Sequence, residues 1–246
     1  MYITVPERDD GFGAQFLTFI RGIVFTETHG HTYVDTGVKN MTIQDADNDP
    51  TYLNKIIKYM NISKFYLTPA DIPNNSDINV LPHPVDFYHI FIAEFESMHN
   101  SNSFRRYKKI FLSDKVNPYD SNFYNVAIHI RKVEKYQTSE APDFSDEYYI
   151  RFCNTIRSNY TGDKPLRFHI YSLGKDEDFD FLKSNDVILH INEDLIKTHV
   201  GFIFADTLLI SHSCLSYTAA FFCNGTIYYR YWNHLHIGLN SWIRYD

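Results

Sequence analysis

The sequence predicts an α/β protein built from two lobes, each carrying a parallel sheet, on three observations. Short apolar strands alternate with amphipathic helices along most of the chain, the rhythm of a parallel sheet covered on both faces. A polar break at 113–125 separates an irregular first half from a regular second half. The 246 residues are long for one ordinary domain of roughly 100–200 residues and short for two, so division into 1–120 and 121–246 gives two trimmed lobes. Ligands of such sheets bind at the C-terminal ends of the strands, which for two lobes places the site in the cleft.

The elements follow in order. An apolar run at 2–5 predicts the first strand, and the polar, glycine-bearing stretch 6–13 a loop. Phe16, Phe19, Ile20 and Ile23 recur at helical spacing, predicting a helix over 14–26. A second strand is expected at 31–35, a loop at 36–50, and a helix through Tyr59 capped by Asp49 with Pro50 in its first turn. Four prolines among 68–84 predict a surface loop, and helices follow at 84–99 and 101–112. Beyond the break, strands are expected at 126–130, 166–171, 187–191, 207–210 and 226–230. Helices are expected at 146–158, 176–183, 193–204 and 214–222. The acidic run Asp176, Glu177 and Asp178 suits a helix start.

Composition narrows the function classes. Hydrophobic residues are 44% and charged residues 22%, values of a globular chain. A net charge of −7 and a pI near 5.9 argue against a DNA or RNA polymer as partner and leave room for a local basic pocket. Aromatics reach 17%, with 19 Tyr and 20 Phe, which suits sugar or nucleotide contacts and equally an aromatic core from an AT-rich gene. The opening MYITVPERDDGFG lacks a charged region followed by a long apolar run, and no stretch of about 18 apolar residues occurs. A cytoplasmic protein without a membrane span is therefore expected. Cys153, Cys214 and Cys223 are odd in number and lack C-x-x-C spacing, which predicts reduced thiols with neither a zinc site nor a disulfide framework.

Three segments carry candidate chemistry. Gly11 and Gly13, with Gln15 following, sit where a strand turns into a helix; glycine permits a sharp turn and the helix start offers N–H groups to an anion. The third glycine of a dinucleotide fingerprint is missing, which disfavours an NAD-dependent enzyme. His129 and Arg131 are two residues apart at the end of a strand, so they share one side, and the Arg fork suits a phosphate. The segment from Asp206 through Ser211, Ser213 and Ser216 runs from an apolar strand into a helix start rich in hydroxyls, an anion-binding arrangement or a helix cap with spare serines. Its Ser–His proximity lacks the G-x-S-x-G elbow of a hydrolase.

The order of these segments resembles the α1,2-/α1,6-/protein O-fucosyltransferase superfamily. Gly11, Gly13 and Gln15 resemble its G-x-G-N-Q start, with Ala14 in place of Asn. His129-Ile130-Arg131 looks like its H-V-R motif, the strand ending at Ser172 like its strand before an acidic segment, and Asp206 through Ser216-Tyr217 like its D…S…F-S segment. The family's R-R-G-D continuation is Lys132-Val133-Glu134 here, and the segment 36–112 matches only in outline.

The resemblance implies a GT-B fold and an inverting, metal-independent glycosyltransferase, moving a sugar (fucose by resemblance) from a nucleotide-diphosphate donor to a hydroxyl of a glycan or oligosaccharide acceptor. It implies no cofactor beyond the nucleotide-sugar co-substrate, a GDP-sugar ahead of a UDP-sugar. Arg131 would grip the β-phosphate, and His129 and Asp206 would lie near base and ribose. Ser213 and Ser216 would bind diphosphate oxygens, with Ser172, Gly11 and Gly13 completing the donor site. Inversion also needs a base. Glu7, Asp9 and Asp10 stand in the loop before Gly11, and Asp10 is the expected one. A different donor such as a UDP-pentose, or a sugar- or nucleotide-binding module without catalysis, is the alternative.

Overall fold

The computed structural model describes residues 1–41, 51–74, 76–82, 88–131, 145–231 and 237–246, with backbone alone for 88–93. The expected helix start at Asp49 and Pro50 and the segment Lys132-Val133-Glu134 lie outside the described residues. The chain divides into two compact units, Met1–Lys115 and Val116–Asp246.

In the first unit, β1 (Tyr2–Thr4) leads into α1 (Phe12–Thr28), then β2 (Thr32–Tyr33), α2 (Tyr52–Met60), β3 (Ile78–Val80), α3 (Tyr88–His99) and α4 (Asn102–Leu112). The three strands are parallel in the order β2-β1-β3. β1 is central because its Ile3 and Thr4 are buried and must pair on both edges. α1 starts two residues earlier than its apolar spacing indicates, and Phe12 joins an aromatic core with Phe16, Tyr59, Tyr107 and Phe111. β3 falls in a stretch expected to be loop. It is three residues long, flanked by prolines, and an edge strand with Val80 59% exposed, so it shows no alternation to read.

The second unit holds β4 (Tyr124–His129), α5 (Asp146–Asn159), β5 (Leu166–Ser172), β6 (Val187–Ile191), α6 (Leu195–Phe204), β7 (Thr207–Leu209), α7 (Cys214–Phe222), β8 (Thr226–Tyr229) and β9 (Ile243–Arg244). The residues 176–183, expected as an α-helix, form a 3-10 helix kinked at Phe179 (Asp176–Leu182). Asp178 there accepts the Lys175 N–H at 3.0 Å, the structural role its acidic run suggested. All six strands are parallel, in the order β6-β5-β4-β7-β8-β9. Counted from β4, this is the doubly wound order 3-2-1-4-5-6. Val126, Ile128 and Ile130 of β4 and its extension pack with Tyr149, Phe152 and Cys153 of α5. Ala127 and His129 point to the opposite face, where α6 and α7 pack against each other. β9 was not legible, being two exposed residues on the sheet edge.

The three cysteines are free thiols. Among the described residues no helix is long and apolar enough to cross a membrane.

Candidate functional site

Strand order locates the site. The chain leaves β4 toward β5 and β6 on one side, then returns to build β7, β8 and β9 on the other. The loops after β4 and β7 therefore diverge, and the space above the C-terminal ends of these two strands is the topological switch point where doubly wound sheets hold ligands. His129 and Arg131 end β4 there, and Ser211, His212 and Ser213 follow β7.

His129 is 8% exposed. Its Nδ1 lies 2.8 Å from Ser216 Oγ and 3.0 Å from Ser211 Oγ, and its ring packs 5.1 Å from that of Phe202. Burial, assisted by the positive charge of Arg131, holds its pKa down at about 3, so the imidazole is neutral. Ser216 Oγ also accepts the Ser211 N–H at 3.2 Å. Ser213 N–H donates to Ser211 O at 2.7 Å, closing a tight turn. Ser213 caps α7, its Oγ accepting the Leu215 N–H at 3.3 Å.

The hydroxyls expected to face a diphosphate are thus turned inward. Ser213 and Ser216, 7% and 0% exposed, shape the loop and fix His129. Ser172 is likewise buried, its Oγ donating to Ile130 O at 2.7 Å, with Leu173 O also 3.1 Å away, which ties the end of β5 to that of β4. Arg131 is the exposed member, its Nη1 donating to His212 O at 2.9 Å. This bond ties the end of β4 to the turn after β7 that leads into α7. The His212 imidazole beside it is held at a pKa of about 4 by burial, then by Arg230 and Arg131.

Asp206 is not part of this group. It precedes β7 and its carboxylate accepts the Asn125 N–H at 2.8 Å, at the start of β4. In a parallel sheet this is the N-terminal edge, roughly 13 Å of strand from His129 at about 3.3 Å per residue. Asp206 locks the entry of the central strand pair and stands away from any base or ribose bound at the switch point. Proximity in sequence to Ser211 was misleading, since the intervening strand crosses the whole sheet.

The first unit has its own concavity. A cavity of about 310 Å³ lies where β1 and β2 end, lined by Glu7, Arg8, Asp9, Thr18, Thr36 and Lys39 among others. Gln15, 3% exposed, donates Nε2 to Asp10 O at 2.7 Å and to Asn40 O at 2.8 Å, pinning the two loops that form its walls. Gly11 is the N-cap of α1 with φ −63°, and Gly13 lies in its first turn, so neither uses the left-handed freedom of glycine. Asp10 is engaged by Arg8 through Nε at 2.6 Å and through Nη2. Glu7 pairs with Lys39. Asp9 and Glu7 line the cavity, and Asp10 does not.

Sequence reading noted His212 only as a neighbour of the serines and did not single out Arg230. Arg230 ends β8 as Arg131 ends β4, and the same signal, an arginine at the close of an apolar parallel strand, applies to both. No group of three or more metal-ligating side chains occurs among the described residues.

The chain matches no protein-family model and no curated protein. It is similar to solved structures of NodZ fucosyltransferase. A NodZ α-1,6-fucosyltransferase co-crystallised with GDP is 11% identical with a TM-score of 0.45, over 90% of this chain and 92% of that one. The selenomethionine form of NodZ from Bradyrhizobium is 10% identical with a TM-score of 0.46, over the same shares. NodZ soaked with GDP-fucose is 11% identical with a TM-score of 0.41.

Proposed function

We propose that this chain is a glycosyltransferase whose second unit binds a nucleotide-diphosphate sugar at the switch point, and whose first unit supplies the acceptor side and the base. The observation that carries this is Arg131, anchored at 2.9 Å on His212 O in the turn that leads into α7. A guanidinium and a helix N-terminus meeting at a sheet's C-terminal edge form an anion site.

The chemistry follows from the leaving group. As the bond from anomeric carbon to phosphate oxygen breaks, negative charge grows on the nucleotide diphosphate. Arg131 and the first N–H groups of α7 stabilise that charge in the transition state more than in the bound donor, so transfer on this reading needs no metal. The serines act one step back: Ser211, Ser213 and Ser216 hold the turn and His129 rigid, so the donors are in place before the reaction. Ser172 does the same for the β4–β5 end.

An acceptor hydroxyl attacking from the opposite face inverts the anomeric centre and gives its proton to a carboxylate. Asp10 was the expected base, but it does not line the cavity, whereas Asp9 does. We therefore assign the base to Asp9 and a loop-bracing role to Asp10 with Arg8. The sugar is fucose and the nucleotide GDP, as the motif resemblance implies, and the acceptor is a glycan hydroxyl.

The test is release of GDP from GDP-fucose, and formation of fucosylated product, with an oligosaccharide mixture. Arg131→Ala lowers turnover by about 10²–10³, the usual effect of one oxyanion-type donor. Asp9→Asn spares donor affinity and slows transfer. Transfer unchanged in Asp9→Asn and lost in Asp10→Asn, with donor affinity intact, returns the base to Asp10. No release from any GDP- or UDP-sugar leaves the alternative of a binding module.

A further inference from the structure

Arg230 follows β8, and none of the roles above uses it. β7 and β8 are parallel with Leu209 beside Tyr228, and Ile210 N donates to Tyr228 O at 3.0 Å. The register therefore brings Arg230 to the level of the turn at 211–213, on the same C-terminal edge as Arg131. Alternation puts Arg230 on the face of Tyr228, and its guanidinium lies over the Tyr148 ring, 5.6 Å from the centroid. Tyr148 is buried and donates to Tyr245 O at 3.1 Å, so this platform is fixed. This cation–π contact holds the guanidinium near the ring, and a guanidinium's fork of N–H donors suits a phosphate.

Arg131 approaches from the other side. β4 and β8 are the two neighbours of β7, so the guanidiniums come from strands about 10 Å apart, two strand spacings. By alternation Arg131 lies with His129 on the α6/α7 face and Arg230 lies on the α5 face with Tyr148, so they reach the turn at the strand ends from opposite faces of the sheet. Arg131 donates to the His212 carbonyl, and both cations act on the His212 imidazole, which is kept neutral. Two like charges that the fold holds beside one neutral turn are brought together most favourably by an anion between them.

We propose that Arg230 is a second ligand of the donor's diphosphate, forming with Arg131 a two-arginine clamp over the turn at 211–213. This rests on the reading that the site binds a nucleoside diphosphate. A diphosphate released by sugar transfer carries more negative charge than one guanidinium can match. Arg131 and Arg230 on opposite sides of β7 meet the two phosphate groups separately. Arg230 is thus a specificity residue: it separates diphosphates from monophosphates, and its contribution vanishes for the bare nucleoside.

Calorimetric titration of the full chain with guanosine, GMP and GDP, and with the uridine series alongside, tests the clamp. The variants are Arg230→Ala, Arg230→Lys and Arg131→Ala, each checked for an unchanged circular dichroism spectrum. The clamp predicts that Arg230→Ala weakens the diphosphate at least tenfold and leaves the nucleoside unchanged, and that Arg230→Lys retains part of the affinity. Where Arg230→Ala loosens the fold by losing its contact with Tyr148, Arg230→Lys, which keeps the charge and stem, is read instead: it must weaken GDP more than guanosine. Loss of GDP affinity in Arg131→Ala alone, with both Arg230 variants as tight as wild type, overturns the clamp and keeps the diphosphate site. An equal loss for guanosine and GDP makes Arg230 structural and also overturns it. A wild-type chain that binds neither GDP nor UDP overturns the diphosphate reading and the clamp together.

Discussion

His129 carries the lesson of the site at the level of single residues. Its place in an H-x-R motif invites a role in touching ligand, yet it is buried, neutral and held by two serine hydroxyls. It positions Arg131 and the turn after β7. Removing one of its anchors should therefore be read first in stability. Ser216→Ala deprives both the His129 ring and the Ser211 N–H of a buried partner, an expected cost of about 1–3 kcal/mol. Denaturant unfolding checks this; a loss below a few tenths of a kcal/mol would mean that the network contributes little. The residue types of the site were legible, but the direction of their side chains was not. Sequence showed serines at a helix start, and only the three-dimensional network of Ser211, Ser213 and Ser216 shows them facing inward.

Among elements, long buried strands were the most legible. The apolar run of β4 was visible in the sequence because a parallel strand buried on both faces reads as an unbroken apolar stretch, and β6, Val187–Ile191, although a partly exposed edge strand, was visible through its β-branched composition. β3 and β9 were not, since an exposed edge of two or three residues carries no pattern. The kinked 3-10 helix at Asp176–Leu182 has the composition of an α-helix start and departs from it at Phe179, whose buried ring is drawn into the core over β5. The turn into β8 supplies a prediction at this scale. A side chain on Gly225 would meet the backbone carbonyls of Ala205 and Asp206, groups that cannot rotate away. Gly225→Ala is expected to lower stability by about 1–3 kcal/mol, the usual range for overpacking, by forcing β7 and β8 apart. An unchanged melting temperature would show that the turn yields instead. Gly201→Ala has softer neighbours, the Tyr171 and Tyr119 hydroxyls, and is expected to cost less.

For the whole molecule, several histidines are buried in neutral form, and this sets its response to acid. His129 and His169 are held down at about 3, and His99 and His212 at about 4, in each case chiefly by burial. Their folded pKa values lie below the ordinary value of 6.5, so the unfolded chain binds more protons in between. Their contribution to stability is complete above pH 6.5 and is lost as the pH falls toward 4 and then 3. A fully buried group of this kind sets a slope of up to about 1.4 kcal/mol per pH unit. The melting temperature should therefore fall steeply from pH 6.5 to 4.5, and His129→Gln should flatten that fall; a flat profile in the wild-type chain would contradict the burial of these rings as neutral groups. The net charge of −7 turns no large basic surface to a polymer, and the proposed site gathers its positive charge locally, at the ends of β4 and β8. Calorimetric titration of GDP into the wild-type chain, Arg131→Ala and Asp206→Asn tests this account most directly. It predicts binding by the wild type, a loss of about tenfold or more in Arg131→Ala, and unchanged affinity in Asp206→Asn, whose carboxylate serves the opposite edge of the sheet. Absence of binding in the wild type, or an Asp206→Asn defect as large as that of Arg131→Ala, would contradict it.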